Sequence, residues 1–238
     1  MRCFRPFAMP KAMTFDLDDT FYDNWPIIMR AEQSLMQFIA SSYPLAKHIS
    51  SMHWFSFKAE ALQQHPELKH DMGKLRLASL RLGLASAGYQ GEELNTAVQA
   101  CFEQFYTVRS DFTIDDSVHA VLESLAQRIP LVAITNGNVD CEAIGISQYF
   151  SHIYHANTEY RSKPHPDMFD AAMDILDLPA KHILHVGDNA YNDVWGAHKA
   201  GMATAWYAAN RSMYLRKEPF RALPCVQLDN LNELLQLV

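Results

Sequence analysis

Within Met13-Thr14-Phe15-Asp16-Leu17-Asp18-Asp19-Thr20, three acids crowd four consecutive positions directly after a short apolar run. Carboxylates that close repel one another, so the cluster calls for a cation or for protons exchanged during chemistry. An N-cap or Asx turn opening the next helix would account for one of Asp18, Asp19 or Thr20, but not for all the acids. Related chemistry recurs at the ends of three later segments. Thr135 closes the run Leu131-Val132-Ala133-Ile134, Arg161-Ser162-Lys163-Pro164 follows a short segment around Ile153, and Gly187-Asp188 follows His182–Val186, with Asp193 five residues on. Acids suit a hard cation, while a hydroxyl and an ammonium suit phosphoryl oxygens, so the set points to phosphoryl transfer. Singly, Thr135 reads as a strand-end cap, Lys163 as a solvated loop charge and Asp193 as a helix-start residue. Their joint arrangement argues otherwise.

Positioning these groups together requires parallel strands, whose carboxyl ends share one rim where ligands bind. The apolar runs have the composition of strands buried on both faces, and from Asp115 onward strands and helices alternate as in βαβ units. Helices are expected at Val118–Leu125, Pro166–Leu176 and, after a turn opened by Gly187-Asp188, up to about Ala200, with a strand at Ala203–Tyr207 and a short one at Cys225–Leu228. Between the first two core strands lies far more chain than the ~30 residues of a whole βαβ unit. Apolar residues there recur at helical spacing, as in Ile28, Ala31, Leu35, Phe38, Ile39 and in Leu94, Val98, Cys101, Phe105, Val108. Met52 and Phe55 lie on such a stripe and read as core packing. The expected fold is α/β: a Rossmann-like parallel sheet core formed by residues 1–22 and 112–238, with an inserted helical-bundle cap domain, residues 23–111. The insertion leaves the sheet after the acidic cluster, so its helices are expected over that cluster.

The balance of 20 Lys+Arg against 27 Asp+Glu, a net charge of −7, argues against a nucleic-acid or anionic-membrane surface. No apolar run reaches the length of a membrane span. Cys3, Cys101, Cys141 and Cys225 form no CxxC pair and fit reduced thiols in a cytoplasmic protein. Residues Met1 to Lys11 read as a short arm. His152 with His155, and His182 with His185, stand three apart on strands, face opposite sides and build no metal site. The pattern suits a monomer and a weak homodimer equally.

Taken in order, Asp16-x-Asp18-x-Thr20, Thr135-Asn136, Lys163-Pro164 and Gly187-Asp188-x-x-x-x-Asp193 resemble the four motifs of haloacid dehalogenase-superfamily phosphatases, and the resemblance spans the chain. It implies a five-stranded parallel core in the order 5-4-1-2-3 and a helical cap of the family's first class. It also implies that Asp16 is a nucleophile forming an aspartyl-phosphate and Asp18 the general acid and base. Mg2+ would be held by Asp16, the backbone carbonyl of Asp18 and Asp188, with Asp193 acting through water. Thr135, Asn136 and Lys163 would bind the phosphoryl group of a small phosphorylated metabolite, and Asp19 would shape the turn. Dehalogenases of the superfamily lack the second acid, here Asp18, so a phosphatase is expected. Alternatives are a sugar-phosphate phosphatase, a phosphomutase, a receiver-like phospho-aspartate signalling module and a catalytically dead binding module. The opening motif through Asn24, Ala133–Asn138 and Arg161–Pro164 is similar to bacterial flavin-pathway phosphatases acting on the ribitylaminouracil phosphate intermediate of riboflavin synthesis and on flavin mononucleotide. Specificity is expected from the cap, with Asn24, Lys74 and Arg76 as candidate contacts.

Overall fold

The computed structural model describes residues 1–238, which form two compact units. The first comprises Met1–Asn24, Thr113–Gly137 and Ile144–Val238. Its centre is a sheet of β1 (Arg2–Cys3), β2 (Ala12–Phe15), β3 (Leu131–Thr135), β4 (His152–His155), β5 (Ile183–Gly187), β6 (Ala203–Trp206) and β7 (Val226–Gln227). Spatial order is β1-β7-β6-β5-β2-β3-β4. The five central strands, β6-β5-β2-β3-β4, are all parallel and reproduce the 5-4-1-2-3 arrangement. Every residue of β2, β3, β5 and β6 is buried, as continuous apolar runs in a two-faced parallel sheet demand. β7 extends the sheet in parallel, and β1 closes that edge antiparallel. Arg2–Cys3, within the segment read as a short arm, therefore form an edge strand. Two residues are too few to carry a period-two pattern.

Helices cover the sheet. Met168, Phe169 and Ala172 of α6 (Asp167–Leu176) pack with Val132, Ile134 and Ile183, while α5 (Asp116–Ala126) buries Val118, Val121, Leu122 and Leu125 and contacts the 3-10 helix Leu231–Leu237. After β5 the expected helix begins as π-type turns over Ala190–Trp195 and becomes α only at α7 (Gly196–Lys199). Such wide turns are frequent at functional sites.

The second unit comprises Trp25–Phe112 and Asn138–Ala143. The latter hexapeptide, which reads as core in the sequence, groups with the helices, and its Asp140 amide donates to the Ser110 hydroxyl. Helices α1 (Asn24–Ser42), α3 (Met72–Ser86) and α4 (Gly91–Arg109) share a core of Ala31, Leu35, Ile39, Leu80, Leu84, Val98, Cys101 and Phe105. Asp71 caps α3 by accepting from the Lys74 amide at 2.8 Å. The stripe of α2 (Ser51–Gln64) corrects the sequence reading: Met52 and Phe55 are 81% and 76% exposed. The buried face of α2 instead runs through Trp54 and Ala61. The Trp54 ring lies where a side chain on Gly83 would stand, with an added Cβ only 2.2 Å from it. The large indole, and not the first apolar residue of the helix, sets its rotation. No helix is long and apolar enough to cross a membrane.

Candidate active site

Parallel register brings the chemistry to one rim. Phe15, the last residue of β2, pairs with both Val186 and Ala133, so β5 and β3 run on one and two residues past it, to Gly187 and Thr135. Asp16, the next residue, donates its amide to Val186 O at 2.9 Å and is nearly buried. Its Oδ1 accepts from Lys163 Nζ at 2.6 Å and its Oδ2 from the Thr20 hydroxyl at 3.2 Å. Lys163 also donates to Asp193 Oδ1 and to Ile134 O, each at 2.7 Å. An ammonium has three protons, and all are used.

Asp193 is the better-served acid. Its Oδ1 also accepts from His185 at 3.2 Å and its Oδ2 from the Asn189 amide at 2.9 Å. An ionised carboxylate only accepts, so His185 carries its proton on Nε2, and Nδ1 accepts from the Thr14 hydroxyl, 2.8 Å away. Burial works against ionising Asp193, yet Lys163 and His185 outweigh it and hold the carboxyl well below the usual range. Burial pushes Asp16 well above that range, where the attraction of Lys163 opposes it and the charges of Asp193 and Asp188 reinforce it. The two acids compete for one ammonium. Asp193, with more donors, is held ionised, whereas Asp16, on which burial weighs most, is held toward its protonated form. Asp188 is pushed up to about 7, first by burial and then by repulsion from Asp193. Gly187 makes this packing possible: a Cβ there would stand 2.4 Å from the Asp193 carboxyl carbon.

Asp18 lies on the other side of the opening turn. Tyr22 donates its phenol to Asp18 Oδ1 at 2.6 Å, and a Cβ on Gly137 would come within 2.4 Å of Asp18 Oδ2. The Gly137 loop is held by its own amide, which donates to Thr135 Oγ1 at 3.0 Å, and by its carbonyl, 3.1 Å from His155 Nδ1. The Asn136 side chain is engaged within the protein. Its Oδ1 accepts from the Lys163 amide at 2.7 Å and its Nδ2 donates to Lys163 O at 3.0 Å, clasping the two loops together. Asp19 has φ +62° and caps α1 by accepting from the Asn24 amide at 2.9 Å, which accounts for the third acid of the cluster.

Of the three specificity candidates, Arg76 is paired with Glu32 at 2.8 Å and lies 3.4 Å over the Phe105 ring, so the helical unit itself uses its guanidinium. Lys74 stands 3.5 Å from Asp71. Asn24 has a buried side-chain oxygen without a hydrogen-bond donor. Sequence reasoning passed over Tyr22, His155, His185 and Arg211. A histidine within the apolar run Ile183–Gly187 was the available sign for His185. No motif marks Arg211, which reaches Asp188 Oδ2 at 2.8 Å from a loop.

One oxygen from each of Asp16, Asp188 and Asp193 lies within 4.8 Å of the others. Burial, reinforced by the neighbouring acids, pushes two of the three carboxyls upward, and all the candidate ligand atoms are oxygen, so the set fits a hard divalent cation such as Mg2+.

Comparisons agree with this geometry. The sequence profile described as haloacid dehalogenase-like hydrolase matches residues 10–201. The 5-amino-6-(5-phospho-D-ribitylamino)uracil phosphatase YigB of Escherichia coli is 34% identical over 238 residues, covering 100% of both chains. A phosphoglycolate phosphatase of Pectobacterium atrosepticum is 28% identical over 198 residues, 80% of this chain and 77% of that one. A crystal structure described as a 2-haloacid dehalogenase from Pseudomonas syringae superposes with a TM-score of 0.90 at 32% identity, covering 96% of this chain and 98% of that one. Sequence, sheet order and the residues at the strand ends lead to one conclusion: the chain belongs to the haloacid dehalogenase-like hydrolase family.

Proposed function

We propose that this haloacid dehalogenase-like phosphatase is a Mg2+-dependent phosphomonoester hydrolase that works through an aspartyl-phosphate on Asp16, with 5-amino-6-(5-phospho-D-ribitylamino)uracil, flavin mononucleotide or both as substrates. The observation that carries the chemistry is the pairing of a buried, under-neutralised Asp16 with a second acid, Asp18, set beside Gly137 by the Tyr22 phenol. Asp16 attacks phosphorus. Asp18 gives its proton to the leaving alcohol oxygen as the phosphorus–oxygen bond breaks. In the second half-reaction Asp18, now a carboxylate, takes a proton from the attacking water, and the bond between Asp16 and phosphorus breaks to release phosphate. Lys163 holds Asp16 toward its target, and the Thr135 hydroxyl, whose oxygen already accepts from Gly137, keeps a proton for a phosphoryl oxygen. Asp16, Asp188 and the Asp18 carbonyl would hold the cation, with Asp193 acting through water. When bound, the cation neutralises charge on the phosphoryl oxygens and keeps Asp16 ionised.

Full-length similarity to the E. coli uracil phosphatase supports the flavin-pathway substrates. Asn24, with its unmet acceptor, is the candidate contact for the leaving group. The test is phosphate release from a panel containing the ribitylaminouracil phosphate, flavin mononucleotide, phosphoglycolate and sugar phosphates, with and without Mg2+. We expect the first two to lead in kcat/KM. Inactivity on both would remove this substrate assignment, and a sugar phosphate converted to its isomer would make the chain a phosphomutase.

The dehalogenase description of the P. syringae structure favours a second reading, halide displacement by Asp16. A halide leaves without a proton and has no use for Asp18. Halide release from 2-chloropropionate, with no phosphate release from the panel, would establish that reading instead.

A further inference from the structure

After β6 the chain is stitched to the site at two points: the Tyr207 amide donates to Gly187 O at 3.0 Å, and the Ala209 amide donates to Asp19 O at 2.8 Å. Two residues later Arg211 extends its guanidinium onto Asp188. Nη1 donates to Asp188 Oδ2 at 2.8 Å and Nη2 to the Asp188 backbone carbonyl at 2.9 Å. The far edge is held as well, with Nε donating to Glu218 Oε1 at 3.0 Å and Nη1 to Asn210 Oδ1 at 3.1 Å. The same Asp188 carbonyl also accepts from Trp206 Nε1 at 2.7 Å. An exposed ion pair contributes little, but here the partners' side chains are only 32% and 11% exposed, and the planar fork grips side chain and main chain of a single residue at once. A lysine, one point charge on a flexible stem, cannot hold both oxygens in a fixed relation.

We propose that Arg211 is a positioning residue of the cation subsite: it fixes the rotamer in which Asp188 offers an oxygen within 4.8 Å of oxygens from Asp16 and Asp193. This rests on the reading that Asp16 and Asp188 hold a divalent cation, with Asp193 acting through water. Two effects of removing Arg211 have opposite signs, which makes the inference decidable. As a bare positive charge, Arg211 repels a cation, and its loss tightens binding. As a clamp, it organises a ligand, and its loss weakens binding, by about tenfold or more where a ligand's hydrogen-bonding partner is removed.

Magnesium chloride is titrated calorimetrically into the metal-free full chain, without substrate, for the parent protein, Arg211→Gln and Arg211→Lys. Thermal melts of the metal-free proteins run alongside. The expected result is a Mg2+ dissociation constant at least about tenfold higher in both variants, with metal-free melting temperatures near the parent's. Equal or tighter binding by Arg211→Gln overturns the proposal. Parent-like binding by Arg211→Lys with weak binding by Arg211→Gln overturns it too, because charge alone would then suffice. Failure of the parent protein to bind Mg2+ overturns the metal reading beneath it, whereas binding by parent and Arg211→Gln alike overturns only the role of Arg211.

Discussion

Removing the cation and raising the pH is expected to destabilise this protein through Asp188. The carboxyl moves from the ordinary 3.8 to about 7 on folding, because burial and Asp193 oppose its charge. Between those values the folded state holds a proton that the unfolded chain has released, so stability falls as pH rises and the loss is complete above about 7. At 1.36 kcal/mol per pH unit the full effect is about 4 kcal/mol. Local relaxation and water penetration soften the cost of a buried charge, and halving the effect leaves about 2 kcal/mol, or about 4–8 °C in melting temperature for a chain of this size. The assay is thermal melting of the metal-free protein from pH 4 to 8, parent against Asp188→Asn, since the amide does not titrate. Burial holds His185 below its usual value and gives it the opposite slope up to about pH 6.5. It is present in both proteins and cancels in the difference. Asp16, raised first by burial as well, is likewise present in both proteins and cancels in the difference. The parent-minus-variant melting temperature is therefore expected to fall by several degrees over this range, and Mg2+ to stabilise the parent more at pH 7.5 than at pH 5. A difference that stays flat or climbs with pH would refute the reasoning.

Three further outcomes follow from the same geometry. Asp16→Asn keeps nearly the same volume and is expected to eliminate turnover of para-nitrophenyl phosphate without loss of fold by circular dichroism; near-parental activity would remove Asp16 as nucleophile. Gly137→Ala places a methyl group 2.4 Å from Asp18 Oδ2, so we expect kcat to fall by about 10²-fold or more, within the range of a general acid's contribution, with little change in melting temperature; an unchanged kcat would show that the carboxylate needs no such clearance. Thr14→Val removes the hydroxyl that donates to His185 Nδ1 and is expected to cost about 1–3 kcal/mol, the penalty for an unsatisfied buried polar group; a melting temperature within a degree of the parent's would count against the Thr14–His185–Asp193 chain.

The strands were readable because parallel strands buried on both faces need continuous apolar runs, and Leu131–Thr135 is one from end to end. Helix α4 was readable for a similar reason, its buried Leu94, Val98, Cys101 and Phe105 recurring at helical spacing. Local pattern failed where rotation depended on one large side chain. Met52 and Phe55 share a stripe in the sequence, but the Trp54 indole seated against Gly83 turns α2 so that both face solvent. It failed again where a short segment borrows its structure from a distant partner, as Arg2–Cys3 does from Val226–Gln227.

The sequence by itself determined which residue types stand at the strand ends, because apolar runs mark the buried strands and Asp16, Asp18, Thr135, Lys163 and Asp188 are read directly after them in the chain. Tertiary structure alone decided how charge is shared among them. Asp16 and Asp193 compete for Lys163 across 147 and 30 residues of chain respectively, as numbered in the sequence, and the contest turns on His185 and the Asn189 amide, donors whose reach is visible only in space. Arg211 reaches Asp188 from a loop that no periodicity marks. Residue type is a local property, whereas the protonation and orientation of a buried carboxyl depend on every charge and donor that folding brings within a few ångströms.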